Sequence, residues 1–157
     1  MTEPLKFFFA IDPGDAHVGV ARFDGDQCTW AEEYDPTSAM RYLAEHLPGA
    51  DVLVVERYQL YPHLAQKQQG SDMRTSQMIG ALKWLAWTLD VPVVIQQAAL
   101  KKPTEALIRH RNIQRRSKGP GDHAKDAETH GYTYLWKNVT KARKSATERS
   151  HTDLFGS

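Results

Sequence analysis

Short hydrophobic runs separated by turn residues dominate the first third of the chain and predict β-strands. A continuous apolar run over residues 6–12 is typical of a central strand, and a second strand is expected over 17–23. The sequence Asp24-Gly25-Asp26 is a hairpin turn signal, and residues 27–34 predict the third strand. Because the connections are short, we expect these three strands to form an antiparallel meander.

Helical periodicity follows this meander and alternates with two further strands. Asp35 and Pro36 provide a capping residue and an early proline for a helix that ends near Leu47. The strand over 51–56 follows a helix, so we expect it to pair parallel to the first strand. The remaining predicted elements, in chain order, are a loop over 57–72, a helix over 73–89, a strand over 91–95, a helix over 104–113, a basic loop over 114–121 and a helix over 123–139.

This order predicts an α/β fold with a mixed five-stranded sheet, in which a three-stranded antiparallel meander is joined by parallel strands and helices cover both faces. The length of 157 residues favours one domain, which we assign to residues 1–140, followed by a polar, flexible tail over 141–157. Gly80 lies within the predicted 73–89 helix, and we expect it to allow a close approach of that helix to the sheet.

The composition excludes several classes of protein. Cys28 is the only cysteine, which excludes a disulfide framework and a cysteine-based zinc site and fits a reducing cytoplasm. No apolar run approaches the roughly 20 residues that a membrane span needs, and the charged N-terminal residues are unlike a secretory signal. We therefore expect a cytoplasmic protein with no membrane partner.

Charge is unevenly distributed along the chain. Residues 1–56 hold 11 acids and 3 bases, whereas residues 57–157 hold 8 acids and 17 bases. Between Lys101 and Lys118 there are seven bases and one acid, Glu105. Such a cluster neutralises phosphates and predicts an anionic partner such as nucleic acid. The alternatives are a solvated surface or a disordered basic loop without a ligand.

Two predicted strands end on an acid, and the last helix carries a third. Asp12 ends the first strand, Glu56 ends the fourth, and His123 and Asp126 share one face of the final helix. Acids that meet without bases repel one another, and Mg²⁺ or Mn²⁺ relieves that repulsion through oxygen ligands. The pattern predicts two ions per site, with Asp12 between them, Glu56 on one and Asp126 with His123 on the other. Whether Asp122 joins or replaces His123 is left open.

Each of these residues also has a structural alternative. Asp12 could cap the Pro-Gly turn that follows it, and Glu56 could pair with Arg57 or a lysine. Asp126 could pair with a base of its own helix, such as His130. His123 could be a surface histidine. Three acids at the right ends of elements are a stronger signal than any one of them.

These residues resemble the RuvC-type Holliday junction resolvases of the RNase H-like superfamily. The similarity extends over roughly residues 6–139 and rests on Ile11-Asp12-Pro13-Gly14, Val54-Val55-Glu56 and His123-Ala124-Lys125-Asp126-Ala127. It implies an RNase H-like fold, a homodimer and, from the small size, the phage branch, which would place the protein in the host cytoplasm. The catalytic and metal-binding residues that it implies are Asp12, Glu56, His123 and Asp126.

The DNA-contacting residues follow the family less closely. The loop after Glu56 lacks the usual family pattern, so Tyr58 and Tyr61 are both candidates for the aromatic that enters the junction. A family lysine after the fifth strand matches Lys101 or Lys102, and the basic loop fits a role in holding the DNA backbone. The remaining candidates for that role are Arg109, Arg111, Arg115, Arg116 and Lys118. Trp84 and Trp87 are expected in packing or in the dimer interface.

The leading hypothesis is a Mg²⁺-dependent, structure-selective endonuclease acting on branched DNA such as four-way junctions. The alternatives are an RNase H-like nuclease acting on flaps, forks or RNA, and a non-catalytic module that binds branched DNA. Sugar kinases and actin-like ATPases begin with a similar strand–Asp–Gly–strand hairpin. They need two such domains and a second glycine-rich phosphate strand, and this sequence shows no such strand.

Overall fold

The protein is described by a computed structural model over residues 3–58, 71–118 and 121–138. Tyr61, most of the expected 57–72 loop and the expected tail over 141–157 lie outside these described residues. The division into a 1–140 domain and a tail therefore stays a prediction. Among the described residues, none of the helices combines the length and the apolar character needed to cross a membrane.

Five strands form one mixed sheet. They are β1 (Phe7–Asp12), β2 (Val18–Asp24), β3 (Gln27–Tyr34), β4 (Leu53–Glu56) and β5 (Val93–Gln96). Their spatial order is β3-β2-β1-β4-β5, with β1, β2 and β3 antiparallel and β4 parallel to both β1 and β5. The predicted meander, the parallel strands and the central position of the first strand are all confirmed.

Four helices accompany the sheet in the described part of the chain. They are α1 (Pro36–His46), α2 (Ser71–Thr88), α3 (Lys101–His110) and α4, which is helical over residues 123–138. The predicted cap of α1 is confirmed, because the Asp35 carboxylate accepts a hydrogen bond from the Ser38 N–H at 3.0 Å.

The sheet is buried on both faces, which explains the continuous apolar run of β1. Phe9 and Ile11 pack on one face with residues of α1 and α2. Phe8 and Ala10 point to the other face and pack with residues of α3 and α4. Successive strand residues alternate between faces, so a strand covered on both sides is apolar throughout.

Helix α4 lies unusually close to the sheet. A Cβ atom at Gly19 on β2 would overlap the backbone of His123, and one at Gly131 on α4 would overlap the ring of Phe23. Ala124 is fully buried at the same contact, as its small side chain predicted. This close packing brings the first turns of α4 to the carboxyl end of β1.

Two sequence-based expectations are wrong. Gly80 on α2 is exposed, and among the described residues a Cβ atom there would meet nothing within 4 Å, so it does not serve a close approach to the sheet. Helix α3 begins at Lys101 rather than Thr104 and ends at His110. Pro103 is compatible with the earlier start, because N–H groups in the first turn of a helix have no intrahelical acceptor.

The two tryptophans of α2 do not pack in the core of the chain. Trp84 is 65% exposed and Trp87 is 75% exposed. The prediction that they pack within the chain is therefore wrong, and their role in a dimer interface stays a prediction.

Candidate metal and nucleic-acid site

Three carboxylates meet at one edge of the sheet. Asp12 ends β1 and Glu56 ends β4, and these strands pair in parallel with Ile11 opposite Val55. Parallel neighbours place their carboxyl ends at the same edge, so the two acids lie side by side. Asp126 approaches from α4, and one carboxylate oxygen of each acid lies within 4.8 Å of the other two. The spatial meeting that the sequence predicted for these three acids is present.

His123 is joined to the most buried of these acids. Its Nδ1 lies 2.9 Å from Asp12 Oδ2, and its backbone N–H donates to Glu33 Oε1 at 2.9 Å. Burial raises the pKa of Asp12 to about 6; the hydrogen bond to His123 opposes this rise and the charge of Glu56 adds to it. The same hydrogen bond raises the pKa of His123. Glu33 was not predicted from sequence, and it ties the start of α4 to β3.

Lys101 lies among the acids. Its Nζ is 2.8 Å from Asp126 Oδ2 and 3.2 Å from Glu56 Oε2. Burial lowers the pKa of Lys101, but the two carboxylates outweigh burial and leave it above its usual value. The charges of Glu56 and Asp126 are therefore partly balanced by the Lys101 ammonium group. The sequence assigned Lys101 to DNA contact together with Lys102, and only Lys102 is exposed.

His130 and Gln96 support Glu56 and were missed as site residues. His130 is fully buried, and its Nε2 lies 2.8 Å from Glu56 Oε2. The Gln96 amide donates to the His130 carbonyl at 2.9 Å and lies 3.4 Å from Nδ1. Burial favours a higher pKa for Glu56, but the interactions with His130 and the neighbouring ammonium leave it below its usual value. The spacing of His123, Asp126 and His130, three and seven residues along one helix face, is the signal that could have found His130.

The structural alternatives are realised only in part. Asp126 pairs with Lys101 on another helix rather than with a base of α4. Glu56 does pair with bases, but it does so while facing the other two acids. Asp122 is not part of the metal-ligand group found among the described residues, and its carbonyl accepts the Asp126 N–H at 2.8 Å within α4.

The predicted DNA-contacting residues fall into two groups. The exposed members are Lys102, Arg109, Arg111, Arg116 and Lys118. Arg111 stacks over Trp136, with its guanidinium carbon 4.6 Å from the ring centroid. Arg115 is turned inward and donates to the Lys125 carbonyl at 3.0 Å and to Thr129 Oγ1 at 2.8 Å. Tyr58 is half-buried against the core.

Solved structures with a similar fold include two of Thermus thermophilus RuvC. The RuvC complex with a Holliday junction substrate superposes with a TM-score of 0.63 at 15% identity, covering 85% of this chain and 96% of that chain. The second RuvC structure gives a TM-score of 0.66 at 16% identity, covering 86% and 96%. The fowlpox virus resolvase in complex with its substrate Holliday junction DNA gives 0.50 at 14% identity, covering 87% and 97%.

No protein-family model and no curated protein matches the sequence. The similarity is therefore visible in three dimensions and covers nearly the whole of each solved chain. At these identities it establishes the architecture, and affiliation with a phage branch stays a prediction. The chain has the RNase H-like fold of the RuvC-type resolvases, as its resemblance to them predicted.

Proposed function

We propose that this chain is a divalent-metal-dependent endonuclease that hydrolyses phosphodiester bonds in branched DNA. The observation that carries the proposal is the meeting of Asp12, Glu56 and Asp126 within 4.8 Å at the edge where β1 and β4 end. The architecture is shared with solved resolvases, two of which are bound to Holliday junctions. Fold alone does not define chemistry, so the acid cluster is the stronger support.

The donor atoms at this edge fit a hard divalent cation. All three acids offer carboxylate oxygens, which Mg²⁺ and Mn²⁺ prefer, and His123 is close enough to Asp12 to join them. Bound by Asp12, Glu56, Asp126 and His123, two such ions would supply a water of lowered pKa and stabilise charge on the leaving oxygen.

The remaining side chains orient the acids and hold charge. His130, backed by Gln96, fixes one oxygen of Glu56, while the His123 imidazole fixes one oxygen of Asp12. Lys101 supplies a positive charge beside the acids, where a phosphodiester brings negative charge. These contacts reduce the freedom of the carboxylates before substrate binds, which is the way a preorganised site lowers a barrier.

The exposed bases are the proposed contacts to the DNA backbone. They lie on α3 and in the segment that follows it, and both pack on the same face of the sheet as α4. Such contacts position a duplex without reading its sequence, which suits selection by branch shape. A homodimer that uses the exposed Trp84 and Trp87 would present two such sites for paired cleavage.

A panel of labelled DNA substrates tests this function. The purified chain is incubated with a four-way junction, a flap, a fork, a linear duplex and an RNA–DNA hybrid, each with Mg²⁺, Mn²⁺ or a chelator. We expect metal-dependent cleavage of the junction and little cleavage of the linear duplex.

Other outcomes identify the alternatives. Cleavage confined to flaps, forks or the hybrid would indicate instead an RNase H-like nuclease that acts on those substrates. Binding of the junction without cleavage in any metal would make it a non-catalytic module.

A further inference from the structure

Glu128 is a fully buried carboxylate on α4 that the proposed chemistry does not use. It is 0% exposed, and a buried charge is costly unless hydrogen bonds satisfy it. Its Oε1 accepts the Arg116 N–H at 2.9 Å, its Oε2 accepts the Ser117 N–H at 3.3 Å, and Arg115 Nη1 lies 3.9 Å from Oε2. These partners all belong to residues 114–118, which we call the basic strap.

The basic strap is docked on the open edge of the sheet. Strand β3 is the last strand on its side, and Ser117 forms a parallel bridge with Ala31 of β3. Arg115 attaches the strap to α4 through the Lys125 carbonyl and the Thr129 hydroxyl. The predicted basic loop over 114–121 is irregular over residues 114–118, and these contacts give it a fixed place on β3 and α4.

Solvent exposure alternates along the strap and divides its basic residues into an inward-facing and an outward-facing group. Arg115 and Ser117 are half-buried, whereas Gln114, Arg116 and Lys118 are exposed. A period of two is the pattern of an edge strand with one face on the protein. Arg115 therefore serves attachment, while Arg116 and Lys118 point to solvent side by side.

Helix α4 connects the strap to the acid cluster. Asp126 and Glu128 are two residues apart, which places them about 200° apart around a helix and thus on opposite sides. One side of α4 carries Asp126 and His130 toward the acids, and the other carries Glu128 toward the strap. A single rigid element thus fixes the distance between both groups.

We propose that Glu128 is a positioning residue that holds the strap as an added edge strand, so that Arg116 and Lys118 contact backbone phosphates of a DNA arm at a set distance from the acids. The inference rests on the proposed function, since it assigns the bound arm of the branched DNA to this surface. In this proposal Glu128 does not contact DNA and acts through the strap.

The test compares two substitutions that remove the same charge. Removing a negative charge favours DNA binding if electrostatics alone decides. Glu128→Gln also removes an acceptor for a strap N–H, since its amide nitrogen can only donate. Glu105→Gln on α3 is the matched control, because the strap N–H groups of Arg116 and Ser117 donate to Glu128 and not to Glu105. Affinity for a four-way junction is measured without divalent metal over a range of salt concentrations.

We expect Glu128→Gln to weaken junction binding several-fold, and Glu105→Gln to leave it unchanged or tighter. The slope of log K against log salt should fall in magnitude by about 2 for Glu128→Gln, because about 0.9 is lost for each of two phosphate contacts. Arg116→Ala with Lys118→Ala should give the same slope, and adding Glu128→Gln to that pair should change nothing further. Unchanged or tighter binding by Glu128→Gln, or an additive effect, would overturn the inference.

Ser117→Pro provides a second route, because it removes one N–H donor to Glu128 without altering the core. It should reproduce the change in slope, and a wild-type slope in a folded Ser117→Pro variant would count against the proposal. Mn²⁺ affinity should be the same in all these variants, which separates the strap from the acids. If the wild-type chain neither binds nor cuts branched DNA, the proposed function itself fails. If the wild-type chain binds and cuts branched DNA and the variants bind it equally well, only the strap assignment fails.

Discussion

Asp12 and His123 share a short hydrogen bond at the centre of the acid cluster, and their protonation opposes metal binding. Burial raises the pKa of Asp12 to about 6, so folded Asp12 holds a proton that the unfolded chain releases near pH 4. The bond to Asp12 raises the pKa of His123. A cation competes with both protons, so it binds more tightly as pH rises.

We therefore predict that metal stabilises the fold more at about pH 8 than at about pH 5. For the metal-free protein the pH dependence of folding stability has the opposite sign. Stability falls as pH rises from about 4 to 6 through Asp12, and the contribution of His123, complete below about pH 6.5, is lost above it. Thermal melting with and without Mn²⁺ at both pH values measures this, and an equal metal-induced rise in Tm at both would contradict it. The lowered pKa of Glu56 acts below this window.

His130 supports the acid cluster through Glu56 and gives a second prediction. His130→Leu removes the contact to Glu56 Oε2 and should weaken Mn²⁺ affinity about 10- to 100-fold, the usual effect of losing a group that orients a ligand. His130→Gln keeps an N–H donor near the same place and should recover part of that affinity. Titration of Mn²⁺ followed by its magnetic resonance signal measures both, and equal losses in the two variants would make His130 a packing residue.

Sequence patterns located the acids but not their supports. Asp12 and Glu56 could be found because each ends an apolar strand, where an unpaired charge is costly. Glu33 and Gln96 could not be found in the same way, and Lys101 was predicted to contact DNA rather than the acids. Their roles depend on which elements meet in space, and the spacing of residues along the chain does not indicate which elements these are.

Among the elements, α2 and α4 show opposite uses of glycine. Gly80 on α2 faces open space, whereas Gly131 on α4 is pressed against the ring of Phe23. Alanine favours helix over glycine by about 0.8–1.0 kcal/mol, so the local environment decides the sign of each substitution. The sequence alone could not separate the two positions, because each is a glycine within a helical pattern.

We predict that Gly80→Ala stabilises the protein by about 0.5–1 kcal/mol, through its backbone preference alone. Gly131→Ala should destabilise it by about 1–3 kcal/mol, because the added methyl group overpacks the contact with Phe23. Urea unfolding of the two variants at the same pH measures both. A destabilised Gly80→Ala would contradict the open environment found around this position among the described residues.

The strands were predicted better than the helix boundaries. Each of β1 to β4 lies between clear turn signals. The continuous apolar run of β1 indicates a strand that is buried on both faces of the sheet. Helix α3 begins three residues before its predicted start, and Pro103 lies within its first turn. The strap was predicted as a loop, and its contact with β3 could not be predicted because it depends on Glu128 from a distant helix.

The whole molecule places opposite charges at neighbouring sites. Strands β1 and β4 supply two acids of the cluster and α4 supplies the third, while α3 and the strap supply exposed bases on the face that carries α4. The division of charge along the sequence thus becomes a cation site beside a surface for phosphates. The fold class was predictable from the order of elements. The adjacency of the cation site and the exposed basic surface was not, because it depends on how α4 packs against the sheet.

The central claim is that the carboxylates of Asp12, Glu56 and Asp126 hold the metal that drives cleavage. The most direct measurement is cleavage of a labelled four-way junction at increasing Mg²⁺, for the wild-type chain and for Asp126→Asn. We predict metal-dependent cutting by the wild type, and a loss of at least about 100-fold in the variant, which keeps its fold and its junction affinity. Equal cutting by a folded Asp126→Asn variant, or wild-type cutting that persists with chelator, would contradict the account.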